Sequence, residues 1–284
     1  MKIAFISLAL SLLAGAASAA DPLTAPKQCS DCAKWNEVVA PVKLYGKSWY
    51  VGVGGLSSVL IASDQGLVLI DGDLPQSAPL IEANIAKLGF KIGEVKLILV
   101  SHEHFDHVGG VAALQRDSGA RVLGGPKAAL ALKMGHPTET DPQYKPDNSN
   151  GFPAVPMAEA VEDGQVIALG DLKITAHRTQ GHTPGGTSWS WQSCEAGKCL
   201  DMVYADSLTP VTTNNHRFTP EASAFRASID KVRGLPCDIL ISTHPSASDF
   251  WQRVKSGKLA DPNECRAYAD AAERSLDKQL EKER

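Results

Sequence analysis

The sequence has no surplus of basic residues: 28 Lys and Arg stand against 32 Asp and Glu, a formal net charge of −4 with a sequence pI of about 6.1. Nothing is in excess to neutralise a phosphate backbone or an anionic bilayer, so no nucleic-acid partner and no peripheral membrane role is expected. No apolar run reaches the roughly 20 residues that span a bilayer. Short-period repeats and low-complexity segments are also missing. What remains is an ordinary globular composition. With 284 residues, 43% of them apolar, the chain can bury one large core, and a single domain is expected.

The first residues read as a secretory signal. Lys2 supplies the positive start, Ile3 to Ala14 a short apolar run, and Ala17-Ser18-Ala19 small residues for cleavage after position 19 or 20. A mature domain over 21–284, periplasmic or secreted and without a membrane anchor, is the expectation. Export brings an oxidising compartment, and the six cysteines are even in number. Proximity pairs Cys29 with Cys32 and Cys194 with Cys199, leaving Cys237 for Cys265, although six cysteines allow about 15 connectivities. Cys29-Ser-Asp-Cys32 could also open a redox motif or half a zinc knuckle, but no second pair at similar spacing or thioredoxin-like unit accompanies it.

Short β-rich runs at 48–53, 58–62 and 66–70, separated by turn residues, predict an antiparallel meander. Helical spacing over Pro75 to Leu88 precedes a buried strand, Val95 to Val100. Then come a helix from Val111, a strand at Arg121 to Leu123, and a helix from Pro126 to Met134 that stops at Gly135. From Gly135 to about Val155 the chain is rich in Pro, Asn, Asp and Gly without apolar period, and reads as a long loop of the kind that carries function. The second half shows strands at 165–169, 172–176, 187–192, 200–204 and 237–241, and helices at 220–232 and from about Pro262. Strands followed by helices, twice over, predict two packed sheets with helices outside.

Three of the eight histidines fall within Ser101-His102-Glu103-His104-Phe105-Asp106-His107, directly after the buried strand and before Gly109-Gly110. Residues two apart on an extended segment point to one face, so His102 and His104 can grip one cation. Asp106 and His107 turn toward a neighbouring point, and imidazole with carboxylate suits zinc. His182, in the glycine-rich loop Gln180 to Gly186, and His244, after the strand ending at Ile241, lie at strand ends and can complete the two sets. Five histidines and an aspartate make two three-ligand sites, a catalytic count that leaves positions open for water. The bland alternative, a closed structural zinc site, would favour cysteine ligands, and none of the six cysteines lies in the cluster. His136, His177 and His216 have no comparable setting.

At these residues the chain resembles the metallo-β-lactamase superfamily, and within it the third subclass of class B β-lactamases, over nearly the whole mature length. The segment Trp191 to Cys199, followed by Tyr204-Ala-Asp-Ser-Leu-Thr-Pro210, is similar to stretches of that subclass. The resemblance implies an α+β fold, an αββα sandwich with a dinuclear site at one edge of the sheets. It implies two Zn²⁺, the first on His102, His104 and His182 and the second on Asp106, His107 and His244. It further implies hydrolysis of the β-lactam amide bond, carbapenems included, by a zinc-bridging hydroxide, with Asp106 catalytic in orienting the nucleophile. Ser207 and Thr209 correspond to positions that contact the substrate carboxylate. Phe152, in the 135–156 loop walling the cleft, is an apolar contact unless it packs inward. A monomer acting on a small molecule is expected.

Two other readings stay open. One metal platform serves many hydrolases, so a thioester or lactone hydrolase of the same fold is the runner-up. In that case an aspartate bridges the metals from the segment matching Tyr204 to Leu208, and Asp206 sits next to the critical place. A non-catalytic zinc- or partner-binding protein is the alternative of another class.

Overall fold

The computed structural model describes residues 21–284, so the signal segment read at 1–20 lies outside the described residues. Among the described residues twelve strands are arranged in two sheets. The first begins with β1 (Val42–Tyr45), β2 (Ser48–Tyr50), β3 (Val59–Ser63) and β4 (Gly66–Ile70), an antiparallel meander. It continues in parallel through β5 (Val95–Leu99), β6 (Arg121–Gly124) and β7 (Glu159–Ala160). The second runs in space as β12 (Ile239–Ser242), β11 (Lys198–Ala205), β10 (Thr187–Glu195), β9 (Leu172–Arg178) and β8 (Val166–Leu169). Only β11 and β12 pair in parallel within it.

The alternation of side chains along each strand divides the interior into layers. Val59, Ile61, Val68, Ile70, Leu97 and Leu99 face the second sheet and meet Trp189, Trp191, Met202, Tyr204, Ile239 and Ile241. Their neighbours Leu60, Leu67, Leu69 and Ile98 face the other way. They are covered by α2 (Ala78–Lys87), α4 (Val111–Ser118) and α5 (Pro126–Met134). On the far side, Val203, Ala205 and Leu240 pack under α6 (Ala222–Arg233) and α8 (Glu264–Lys282). The result is helix, sheet, sheet, helix. Short helices α1 (Cys32–Trp35), α3 (Phe105–Val108) and α7 (Phe250–Ser256) fill corners. β1, α1 and α7 carry too few residues to show a period, and the sequence pattern does not reveal them. Among the described residues no helix is long and apolar enough to cross a membrane.

The cysteines pair Cys29 with Cys32, Cys194 with Cys199 and Cys237 with Cys265. The second closes the β10–β11 hairpin and the third ties the approach to β12 to α8. Three disulfides are consistent with an extracytoplasmic location.

One packing conflict is testable. Burial between α2 and α4, reinforced by the Asp117 carboxylate, pushes Glu82 up to about 7. An acid whose folded pKa lies above its unfolded value costs stability as pH rises through that window, and the full cost is present above it. Glu82→Gln is therefore expected to raise the melting temperature at pH 8 and to leave it unchanged near pH 4. The half-exposed site limits the gain to about 1 kcal/mol or less. Equal shifts at both pH values in thermal melts would show that the pair is not repulsive.

Candidate functional site

The site grows from the end of β5. Asp71, just past β4 and held at φ 59°, accepts hydrogen bonds from the backbone N of Ser101 (2.7 Å) and from its hydroxyl (2.6 Å). That contact ends the strand and starts the motif. His104 is still extended (φ −85°, ψ 148°) and serves as N-cap of α3, whose first turn carries Asp106 and His107. One short stretch thus sends two histidines one way and an aspartate and a histidine another.

Two further strand ends supply the rest. His182 rides on the β9–β10 loop, which packs too tightly for side chains at two points: a Cβ on Gly185 would lie 2.2 Å from Glu103 Oε2, and one on Gly186 2.3 Å from Asp206 Oδ2. Glu103 pins this loop, accepting from the Thr183 hydroxyl (2.9 Å) and the Gly185 N (3.1 Å). Burial pushes the Glu103 carboxyl up to about 7. His244 follows β12, with the Trp35 ring 5.3 Å from its own. Because β4, β5 and β6 are parallel, as are β11 and β12, these carboxyl ends gather at one edge of the sandwich.

Two triads result. One ligand atom each from His102, His104 and His182 lie within 4.8 Å of one another, and the same holds for Asp106, His107 and His244. In the first, the three ring centroids stand 4.9 Å apart pairwise. In the second, the Nε2 atoms of His107 and His244 are 3.2 Å apart, and Asp106 Oδ2 is 3.3 and 3.5 Å from them. The triads adjoin, since the His102 and His107 rings are 4.2 Å apart.

The outer nitrogens of the first triad are held from behind. His102 Nδ1 meets Asp206 Oδ1 at 2.9 Å, His104 Nε2 meets the Asp141 carboxylate at 3.1 Å, and His182 Nδ1 donates to the Thr209 carbonyl at 2.7 Å. Each contact fixes a tautomer and aims the other nitrogen inward, the arrangement that supports metal-bound histidines. His102 Nε2 is buried without a hydrogen-bond partner, a cost explained by a cation; the outer nitrogen of His107, Nδ1, faces the Asp71 carboxylate at 3.8 Å. Burial, then the neighbouring rings, holds His102 well below the usual imidazole range, and burial takes His182 down to about 3. Both rings are neutral with a lone pair to offer. Burial would raise Asp106, but His107 and His244 outweigh it and keep the carboxylate ionised. Buried lone pairs and one anion converging on two points fit a pair of divalent cations.

The sequence model of the metallo-beta-lactamase superfamily matches residues 51–244, from just after β2 through His244. The chain belongs to the metallo-beta-lactamase superfamily. Among solved structures it is similar to the Rm3 metallo-beta-lactamase, with 49% identity and a TM-score of 0.87 over 90% of this chain and 99% of that one. It is also similar to MEM-A1, a subclass B3 metallo-beta-lactamase from a soil metagenome library, with 46% identity and a TM-score of 0.84 over 88% and 98%. A hydroxyacylglutathione hydrolase of Rhodopseudomonas palustris (strain BisB18) is 26% identical over 71% of this chain and 66% of that protein, just under two thirds of its length.

As a metallo-beta-lactamase fold, the chain carries its cleft beside the triads. A cavity of about 430 Å³ is lined by His104 and Asp106, by Gln143, Lys145, Ser149 and Asn150 of the long loop, and by Lys27, Cys29 and Trp35. The N-terminal wall was not legible in the sequence, because only folding brings 27–35 across the motif. Phe152 is a correction: it is 8% exposed, sits in the core under α5 and does not line this cleft. Its backbone N donates to the Gly135 carbonyl at the end of α5. Ser207 is buried, its hydroxyl 2.8 Å from that of Thr243. Thr209 is exposed and meets His182 through its carbonyl, with its own hydroxyl 3.3 Å from Nδ1. Asp206 stands behind His102, its second oxygen toward the Thr179 hydroxyl, and belongs to neither triad. His136, His177 and His216 are likewise outside both triads. Glu103 sits inside the histidine motif but nothing in the spacing sets it apart, while Asp71 and Asp141 carried no sequence signal, since isolated acids in strand ends and loops are commonplace.

Proposed function

We propose that this chain is a zinc-dependent β-lactamase of the subclass B3 type, hydrolysing the amide bond of β-lactam antibiotics, carbapenems included. The observation that carries this is the pair of adjoining triads, His102–His104–His182 and Asp106–His107–His244, in a chain 46–49% identical to metallo-beta-lactamases along most of their length. Two zinc ions bound there would supply Lewis acidity toward a carbonyl and activation of water at neutral pH. The chain's own residues do the rest. Asp106 would hold one ion and orient the attacking water. Asp206, Asp141 and the Thr209 carbonyl keep the histidine rings fixed, so that little reorganisation accompanies the reaction. The hydroxyls of Ser207 and Thr209 would receive the substrate carboxylate. Water adds to the carbonyl carbon, the C–N bond breaks, and the nitrogen leaves with a proton as an amine.

The thioester or lactone reading draws on the likeness to hydroxyacylglutathione hydrolases. It is disfavoured by Asp206, whose carboxylate faces His102 Nδ1 and belongs to neither triad. The protein is taken to be exported after cleavage behind residue 19 or 20. It then acts in the periplasm or outside the cell as one hydrolase domain over 21–284, as a monomer.

Purified, zinc-loaded protein is expected to hydrolyse nitrocefin, to stop when treated with a chelator and to recover on zinc addition. No turnover of any penicillin, cephalosporin or carbapenem, alongside cleavage of a thioester or lactone, would transfer the site to the other reading.

A further inference from the structure

Between α5 and β7 the chain runs through residues 135–158 without regular secondary structure, yet one of its acids is among the most buried in the molecule. Asp141 is 1% exposed, and both of its oxygens face His104 Nε2, at 3.1 and 3.2 Å. The same turn is clasped from the other side of the cleft. Asn214 donates to the Asp141 carbonyl (3.2 Å), and the Thr212 hydroxyl to the Pro142 carbonyl (3.0 Å). Gln143, two residues on, lines the cleft. His104 is thus the one ligand of its triad anchored by the long loop; His102 and His182 are anchored from the segment after β11.

We infer that Asp141 is a positioning residue that couples occupancy of the first triad to the order of the cleft loop. A cation on the inner nitrogen of His104 strengthens the outer N–H as a donor, and the Asp141 carboxylate in turn raises the ring's affinity for the cation. Linkage makes the effect reciprocal: whatever orders the loop tightens the metal, and the metal orders the loop. The Asn214 and Thr212 contacts carry the same ordering to the segment that presents Thr209. The inference rests on the reading of the first triad as a metal site, but not on the substrate.

The test is hydrogen–deuterium exchange on the full chain, chelator-treated and zinc-loaded, followed in peptides covering 138–151, together with competition for zinc by a chromophoric chelator. In the wild type, zinc loading should slow exchange of this loop severalfold. In Asp141→Ala, zinc should no longer change loop exchange, and zinc affinity should fall ~10–100-fold, while exchange in β10 and α8 stays as in the wild type. Asp141→Asn, which keeps an acceptor but loses the charge, should show smaller losses of both kinds and serves if the alanine variant does not fold. A loop equally protected with and without zinc, or one still protected by zinc in the alanine variant, would overturn the coupling. A wild type that takes up no zinc would overturn the metal reading along with it.

Discussion

Asp106→Asn is expected to lower kcat for a β-lactam by ~10²–10⁴-fold while leaving the fold intact. Asp106 is the only anionic member of either triad, 7% exposed, and its ionised form is held there by His107 and His244 against burial. The amide nearly preserves shape but removes the charge that would help neutralise the second cation and orient the water. Zinc content should fall toward one ion per chain, because the two remaining imidazoles lack an anionic partner. His136→Ala is the matched control. That ring is half-buried in the loop, with Nδ1 against the Pro137 carbonyl, lies outside both triads, and its loss should change neither quantity. Metal analysis and steady-state kinetics on the two variants decide the matter: an Asn variant retaining both ions and full rate would mean that the ligand map is wrong.

The second large effect is on stability. Trp189 is fully buried near the start of β10, where its ring packs in the layer between the sheets and its Nε1 donates to the Val100 carbonyl at 3.2 Å. Trp189→Ala should cost ~3–5 kcal/mol from the cavity and lost transfer energy. The Val100 carbonyl is also deprived of its side-chain donor, and it belongs to the residue two places before His102. Trp189→Phe separates these terms, keeping most of the volume and losing the donor, for about 1–3 kcal/mol. Denaturant midpoints measure both. A loss below 1 kcal/mol in the alanine variant, by about the same scale, would mean that the two sheets do not depend on this residue.

Most of the sandwich was legible because strands buried on one or both faces leave regular marks. The 59–63, 66–70 and 95–99 runs are apolar and bounded by turn residues, and α5 ends where Gly135 adopts φ 78°. Short elements escaped for want of length, as β1 and α7 show. Phe152 escaped for a different reason: an aromatic in a loop can face cleft or core equally well, and only the tertiary packing against the core decides.

By itself the sequence determined the chemistry on offer. Metal affinity is a property of donor atoms, and the spacing His102, His104, Asp106, His107 confines four donors to six residues, so that any compact fold must keep them close. It likewise determined the alternation that separates inner from outer faces of the sheets. Only the tertiary structure decided how His182 and His244 are shared between the two triads, that Asp206 backs His102 instead of joining a triad, and that Asp141 reaches His104 from the loop. Those contacts join residues 37 to 137 positions apart. No local pattern encodes such distances, because the entropy of closing the intervening chain is met by the whole core and not by the residues that end up touching.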